Sequence, residues 1–135
     1  MNAAIRRPQS LEETAAESQS YDEFGHNLKD FLHEVTTARK REQPVAPMFL
    51  TEPPRLAERF KEGNICDAFL AGIADYFSRV NAIPTPEWAL GENRILREPW
   101  FAVDFIEVRA LLLRDTPSAF KDKNMFIFES ALRTG

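Results

Sequence analysis

The stretch Asn93–Phe128, NRILREPWFAVDFIEVRALLLRDTPSAFKDKNMFIF, is rich in large apolar residues and holds one of the two tryptophans. Within it, Val103–Arg114 places apolar residues on almost every side of a helix, which is typical of a helix buried all round. Pro99 and Pro117 bound this segment, and proline favours helix ends. We therefore predict a central α-helix over Val103–Arg114. A buried strand is the competing interpretation for a short piece of it.

Two longer helices are predicted on the N-terminal side of this stretch. Tyr21–Arg39 follows Ser20 and carries Glu23 three residues later, which is the pattern of a capping box. Ile65–Val80 follows Asn64, a residue favoured as an N-cap. Both segments repeat apolar residues at spacings of three and four, so each presents one face to a core.

Prolines divide the rest of the chain into short pieces. Gln43–Pro54 contains four of the nine prolines and is predicted to be an extended connector. Short helices are predicted after Pro54, over Pro86–Leu90 and after Pro117, because proline fits the first helical turn. The apolar run Met125–Phe128 is predicted to be a minor extended segment. The predicted fold class is all-α or nearly so.

The length of 135 residues fits a single domain. Residues 1–20 are polar, and Leu11 is their only large apolar residue after Ile5. Any helix there has little to bury, so we predict a flexible N-terminal arm over residues 1–20. Residues 21–135 are predicted to form one compact helical domain.

Charge and cysteine content limit the classes of partner. The net charge of −4 argues against a nucleic-acid partner, because an acidic chain is repelled by phosphate. The single cysteine, Cys66, cannot form an internal disulfide, and no apolar run follows the N-terminal arginines. These features predict a cytoplasmic protein without a membrane partner.

No catalytic motif stands out, so we predict a protein that is not an enzyme and uses no cofactor. The five glycines are scattered, which excludes a glycine-rich phosphate loop. His26 and His33 lie two helical turns apart, about 10.5 Å, which is too wide for an unaided metal-ligating pair. Cys66 lies near a helix start, where a thiol pKa can fall. A buried, inert thiol is the alternative interpretation.

Four residues are candidates for a pocket or a partner contact: Trp88, Arg94, Arg97 and Trp100. Tryptophan and arginine are enriched where proteins bind partners, and a tryptophan can stack on a flat ligand. The alternative interpretation is that both tryptophans are core residues, as is usual for this residue type.

The segments DAFLAGIADYF, PTPEWAL, REPWFAV and RALLLRDTPSAFKDKNMFIF occur in that order over Asp67–Leu132. This order resembles a bacterial helical domain of regulator or antitoxin-like proteins encoded beside nucleotidyltransferase-like toxins. Its landmarks are Trp88, Pro99-Trp100-Phe101, Arg109-Ala110-Leu111 and Pro117 through Phe128. The resemblance implies a helical fold and no catalytic residues. It also implies a toxin-like protein from a neighbouring gene as the partner.

Three hypotheses on function follow. The first is a non-enzymatic protein-interaction module, an antitoxin-like or regulatory companion of another protein. The second is a small ligand-binding domain or enzyme with a pocket near Trp88 and Trp100. The third is a DNA-binding regulator, although the N-terminus shows no helix-turn-helix pattern.

Overall fold

A computed structural model describes residues 7–133, of which most are helical. The α-helices are α1 (Leu11–Ala16), α2 (Tyr21–Lys40), α3 (Gly63–Val80), α4 (Ile106–Asp115) and α5 (Ser118–Lys121). Short 3₁₀ turns lie at Ala46–Met48, Glu87–Leu90, Glu92–Arg94 and Glu129–Leu132. The two strands are β1 (Trp100–Phe101) and β2 (Met125–Phe126). The predicted fold class, all-α or nearly so, is confirmed.

Helix α3 lies at the centre of the molecule. Twelve of its 18 residues are buried, and α2, α5 and the 3₁₀ turns at Glu87–Leu90 and Glu92–Arg94 pack around it. Small residues on α3 allow these neighbours to come close. A Cβ atom at Gly72 would overlap the Phe120 ring of α5, so only glycine fits there without a shift.

The prediction that Val103–Arg114 is the central helix is wrong. Helix α4 begins at Ile106, and only Leu112 within it is buried. The Ile106 side chain is 80% exposed. A helix that is apolar all round needs cover on every side. Here the chain covers α4 on one side alone, because α3 already occupies the centre.

Residues 7–20 pack against the domain, in contrast to the predicted flexible arm. Helix α1 contacts α2, and Leu11 and Ala15 are fully buried. The Ser10 hydroxyl caps α1 by accepting a hydrogen bond from the Glu13 N–H at 3.1 Å. Arg59 donates to the Ala15 carbonyl at 3.1 Å, which holds the end of α1 in place. Residues 1–6 of the predicted arm lie outside the described residues.

Aromatic rings connect the layers of the core. They run from α2 through the connector and α3 to α5, with ring centroids 5.1–6.5 Å apart. The rings in this network are Phe24, Phe31, Phe49, Phe69, Tyr76, Phe77 and Phe120. Edge-to-face and stacked pairs at such distances add stabilisation beyond area burial.

The two strands form a small parallel sheet in which Trp100 lies opposite Met125 and Phe101 opposite Phe126. Helices α4 and α5 provide the connection between these strands. The predicted extended segment at Met125–Phe128 is therefore confirmed at its first two residues. None of the described helices is long and apolar enough to cross a membrane.

The helix predicted after Pro54 is absent, and residues 52–60 form turns and irregular chain. The Leu56 and Ala57 N–H groups donate to the Asp67 carboxylate at 2.6 and 3.1 Å. The Asp67 carboxylate on α3 thus accepts the hydrogen bonds that backbone carbonyls would accept in a helix, which explains why this segment is not helical.

Candidate functional site

Arg94, one of the four predicted site residues, is a buried structural residue. Its side chain is fully buried, and Nη2 donates to the Pro53 carbonyl at 2.8 Å and to Glu52 at 3.2 Å. Nη1 lies 3.8 Å from the Asp67 carboxylate. A buried guanidinium needs such a set of acceptors, because an unpaired buried charge is costly. Arg94 therefore ties the connector to α3.

Trp88 contacts Arg94 from the other side. The Arg94 guanidinium carbon lies 4.9 Å from the centroid of the Trp88 ring, within the range of a cation–π contact. The Trp88 indole N–H donates to the Phe49 carbonyl at 3.1 Å. Trp88 is thus half-buried and fixed at both its face and its edge. Its placement matches the core interpretation.

Arg97 and Trp100 lie elsewhere, in an open cleft of about 620 Å³ beside the N-terminal end of α3. Arg55 and Asn64 face the same cleft, and Ile65 supplies an apolar wall. The full lining is Arg55, Asn64, Ile65, Glu92, Asn93, Ile95, Leu96, Arg97, Glu98, Pro99 and Trp100. The structure therefore separates the four candidates into a pair in mutual contact, half-buried Trp88 and buried Arg94, and a cleft pair, Arg97 and Trp100.

The two arginines of the cleft differ in whether they already have a partner. Arg55 is 41% exposed and pairs with Asp67 at 3.1 Å, so its charge is already balanced. Arg97 makes no hydrogen bond or ion pair within residues 7–133, and Glu92 and Glu98 bring opposite charge to the same rim. Cationic, anionic and aromatic groups thus share one open surface, and this mixture fits a polar ligand with an apolar part.

Helix α4 carries a second candidate surface, made of apolar side chains that face solvent. Ile106, Ala110 and Leu113 lie four and three residues apart and share one side of the helix; we call them the outer stripe. Ile106 is 80% exposed and Leu113 52%. Phe105, which precedes the helix, and Leu111, on another side of it, are also exposed. Several large apolar side chains exposed on one short helix make it a candidate interaction surface.

The orientation of α4 is fixed by contacts at its first turn. Arg109 pairs with Asp104, and its guanidinium carbon lies 4.7 Å from the centroid of the Phe101 ring on β1. On the same side, Leu112 is buried and Val108 half-buried. Arg109 thus ties α4 to β1, while the outer stripe remains in solvent.

Sequence reasoning missed the buried polar cluster around Asp75. This carboxylate on α3 accepts from Arg79 twice at 3.0 Å, from the Thr85 hydroxyl at 3.0 Å and from Lys123 at 3.4 Å. Lys123 is itself only 3% exposed. The sequence does contain a signal for such a cluster, because Asp67 and Asp75 lie in a helix made mostly of apolar and small residues. Such residues are rarely buried without partners.

Cys66 is buried, and burial is the main cause that raises the pKa of its thiol to about 12, with the nearby Asp67 carboxylate adding to it. The shift is opposite in direction to that of an activated nucleophile and matches the inert-thiol interpretation. His26 and His33 remain on α2, and no group of three or more His, Cys, Asp or Glu side chains among residues 7–133 is placed to hold a metal ion.

Comparison of the chain with protein-family models, with curated proteins and with solved structures gave no match. The geometry of the cleft and of α4 is therefore the basis for a functional assignment.

Proposed function

We propose that this protein is a non-enzymatic protein-interaction module that binds its partner through the outer face of α4. The observation that supports the proposal concerns the surface of α4. This helix has apolar residues on several sides, but the rest of the chain packs against one side only. Only Leu112 of this helix is buried, whereas Phe105 and Ile106 are more than half exposed. Solvent contact with these side chains is unfavourable, by roughly 25 cal/mol for each Å² of apolar surface.

The rest of the molecule supports a non-enzymatic role. Arg94, Asp67, Asp75 and Lys123 all have partners within the fold, so these buried charges hold the chain together. The raised thiol pKa leaves Cys66 protonated at neutral pH. Under this proposal the protein is a cytoplasmic, antitoxin-like or regulatory companion. The toxin-like product of a neighbouring gene is its partner.

Co-expression with the products of the adjacent genes tests the proposal. Tagged wild-type protein is expected to recover a neighbour's product in stoichiometric amount, whereas the Ile106→Asp variant is expected to lose it. Leu50→Asp is the matched control, because Leu50 is also exposed, at 67%, but lies on the connector. Equal recovery by wild type and Ile106→Asp would remove α4 as the binding surface.

A second candidate function, binding of a small ligand, is favoured by the cleft beside Trp100. A volume of about 620 Å³ is within the range of small-molecule sites. Thermal-shift measurements with a panel of small zwitterionic and aromatic carboxylates test it. Stabilisation that Arg97→Ala abolishes would support ligand binding. No shift with any member of the panel would count against it.

A further inference from the structure

We infer that the occupant of the outer stripe is a second copy of this chain, packed antiparallel across a two-fold axis. This inference rests on the proposed function, because it takes α4 as a binding surface. It names a second copy of the chain, in place of the neighbouring gene product, as the occupant of that surface. It depends on three features of α4: the apolar stripe, the small residue at its middle, and the order of charges along its border.

The outer stripe has the form of a helix-packing seam. Ile106 and Leu113 are separated by seven residues, and Ala110 lies between them. Apolar residues at this spacing form the contact line of paired helices. The exposed Ala110 at the middle places no bulky side chain there, so that two helix axes can approach closely. In an antiparallel pair, Ile106 of one copy packs near Leu113 of the other.

The charges beside the stripe select the antiparallel direction. Glu107 and Arg114 each follow a stripe residue by one position, and they form a row along one border of the stripe. In an antiparallel pair each Glu107 faces the other copy's Arg114, and the two-fold axis makes this contact twice. In a parallel pair the two rows lie on opposite sides of the contact, so Glu107 and Arg114 do not meet across it. The pattern is therefore self-complementary in one orientation only.

Both charged residues are available for such a contact. Glu107 is exposed and makes no hydrogen bond or ion pair within the described part of the chain. Arg114 pairs with its neighbour Asp115, but both side chains are exposed, at 71% and 46%. An exposed pair of this kind contributes little to stability, so Arg114 can exchange it for a partner. On the opposite border Arg109 is already held by Asp104.

The size of the surface sets the expected affinity. A helix of ten residues is about 15 Å long, which is shorter than a standard interface of roughly 20–30 residues a side. We therefore expect a weak, concentration-dependent dimer and no larger assembly, because a two-fold contact closes on itself.

Sedimentation velocity of the purified chain alone, from micromolar to millimolar concentration, tests the inference. Wild type is expected to shift reversibly from monomer to dimer. Ile106→Asp is expected to weaken the dimer by about a hundredfold or more, because it places a charge in the apolar seam. Leu50→Asp is expected to match wild type, since this control lies outside the seam.

Exchanging the charges at Glu107 and Arg114 tests the proposed charge pattern. Glu107→Arg and Arg114→Glu are each expected to weaken the dimer by about tenfold, because each creates two like-charge contacts across the two-fold axis. The double variant Glu107→Arg with Arg114→Glu is expected to restore it. A mixture of the two single variants is expected to form a heterodimer, which mass spectrometry of the intact complex can detect.

Several outcomes would overturn the inference. A chain that stays monomeric at every concentration removes the second copy as occupant, and so does a dimer that survives Ile106→Asp. A double variant as weak as either single variant removes the antiparallel register. If the chain is monomeric alone but Ile106→Asp loses a neighbouring gene product, this inference fails while the proposed function stands. If neither self-association nor neighbour binding depends on Ile106, both fail together.

Discussion

Helices α3 and α4 are both rich in apolar residues, yet α3 buries twelve of its 18 residues and α4 buries one of ten. Apolar residues are about as frequent on the two helices, but charged residues make up four of ten on α4 and three of 18 on α3. The two helices differ in what their charged residues contact. On α3, Asp67 and Asp75 bind groups that are distant in sequence. On α4, Arg109 and Arg114 pair with carboxylates only a few positions away.

The polar contacts of the two helices also differ in how far apart their partners lie in the sequence. Asp67 accepts from the Leu56 N–H across 11 residues, and Asp75 accepts from Lys123 across 48. Arg109 reaches Asp104 across five residues, and Arg114 reaches Asp115 across one. Long-range polar contacts fix several chain segments around one helix, whereas local pairs fix only the helix itself. Buried carboxylates therefore identify the central helix better than its apolar pattern does.

The largest expected difference in stability loss is between removing a carboxylate on α3 and removing one beside α4. Asp67→Ala leaves two backbone N–H groups without their acceptor and removes one partner of buried Arg94. It is expected to lower the free energy of unfolding by about 3–5 kcal/mol. Asp104→Ala removes an exposed pair and is expected to cost about 1 kcal/mol or less. Urea unfolding followed by tryptophan fluorescence measures both, and equal losses would contradict the comparison.

The second test compares the same residue type on the two helices. Ile73 on α3 is fully buried, whereas Ile106 on α4 is 80% exposed. Ile73→Ala is expected to lower the free energy of unfolding by about 2–5 kcal/mol, since it leaves a cavity. Ile106→Ala is expected to change it by less than about 0.5 kcal/mol in the monomer. Chemical unfolding at low protein concentration keeps self-association out of the comparison. A loss at Ile106 as large as that at Ile73 would mean that α4 is packed.

A third test uses two helical glycines and predicts opposite signs. Ala at position 72 would force its Cβ into the Phe120 ring, so Gly72→Ala is expected to destabilise by about 1–3 kcal/mol. Nothing lies within 4 Å of a Cβ added at Gly25 on α2. Gly25→Ala is therefore expected to stabilise by up to about 1 kcal/mol, through helix propensity. Thermal unfolding of both variants checks the signs, and destabilisation by Gly25→Ala would reveal a close contact.

The smallest expected effect on stability comes from the Cys66 thiol, because its raised pKa does not change the free energy of unfolding at neutral pH. Because the folded state holds the thiol proton more tightly, stability is expected to fall only as pH rises from the ordinary thiol pKa toward about 12. Alkylation by iodoacetamide is expected to be slow at neutral pH. The control thiol is Leu113→Cys in a Cys66→Ala chain, which places the group on exposed α4. Equal alkylation rates at neutral pH would contradict the burial of Cys66.

Much of the local structure could be predicted from the sequence. Helix α2 spans Tyr21–Lys40 where Tyr21–Arg39 was expected, and Ser20 accepts from the Glu23 N–H at 3.1 Å as the capping pattern indicates. Helix α3 starts at Gly63, two residues before the predicted start, and Asn64 lies inside it. Caps and apolar periodicity depend on residues a few positions apart, so they are readable without the fold.

The candidate site was only partly predictable. Arg97 and Trp100 do line one cleft, but Arg94 turns inward because acceptors from Glu52, Pro53 and Asp67 surround it. Those acceptors lie 27 or more residues away in sequence. Neither composition nor spacing indicates that such distant groups converge on one guanidinium.

The sequence by itself determined helix α2 with its Ser20 cap, most of α3 and the near absence of strands, because hydrogen bonds and propensities within a helix are local. Only the tertiary structure decided that α3 is central and that Asn93–Phe128 contributes a peripheral helix. Burial depends on which segments compete for one interior, and the Asp67 and Asp75 carboxylates bind segments that pack around α3. The apolar surface left over on α4 is what the protein presents to a partner under the function proposed above.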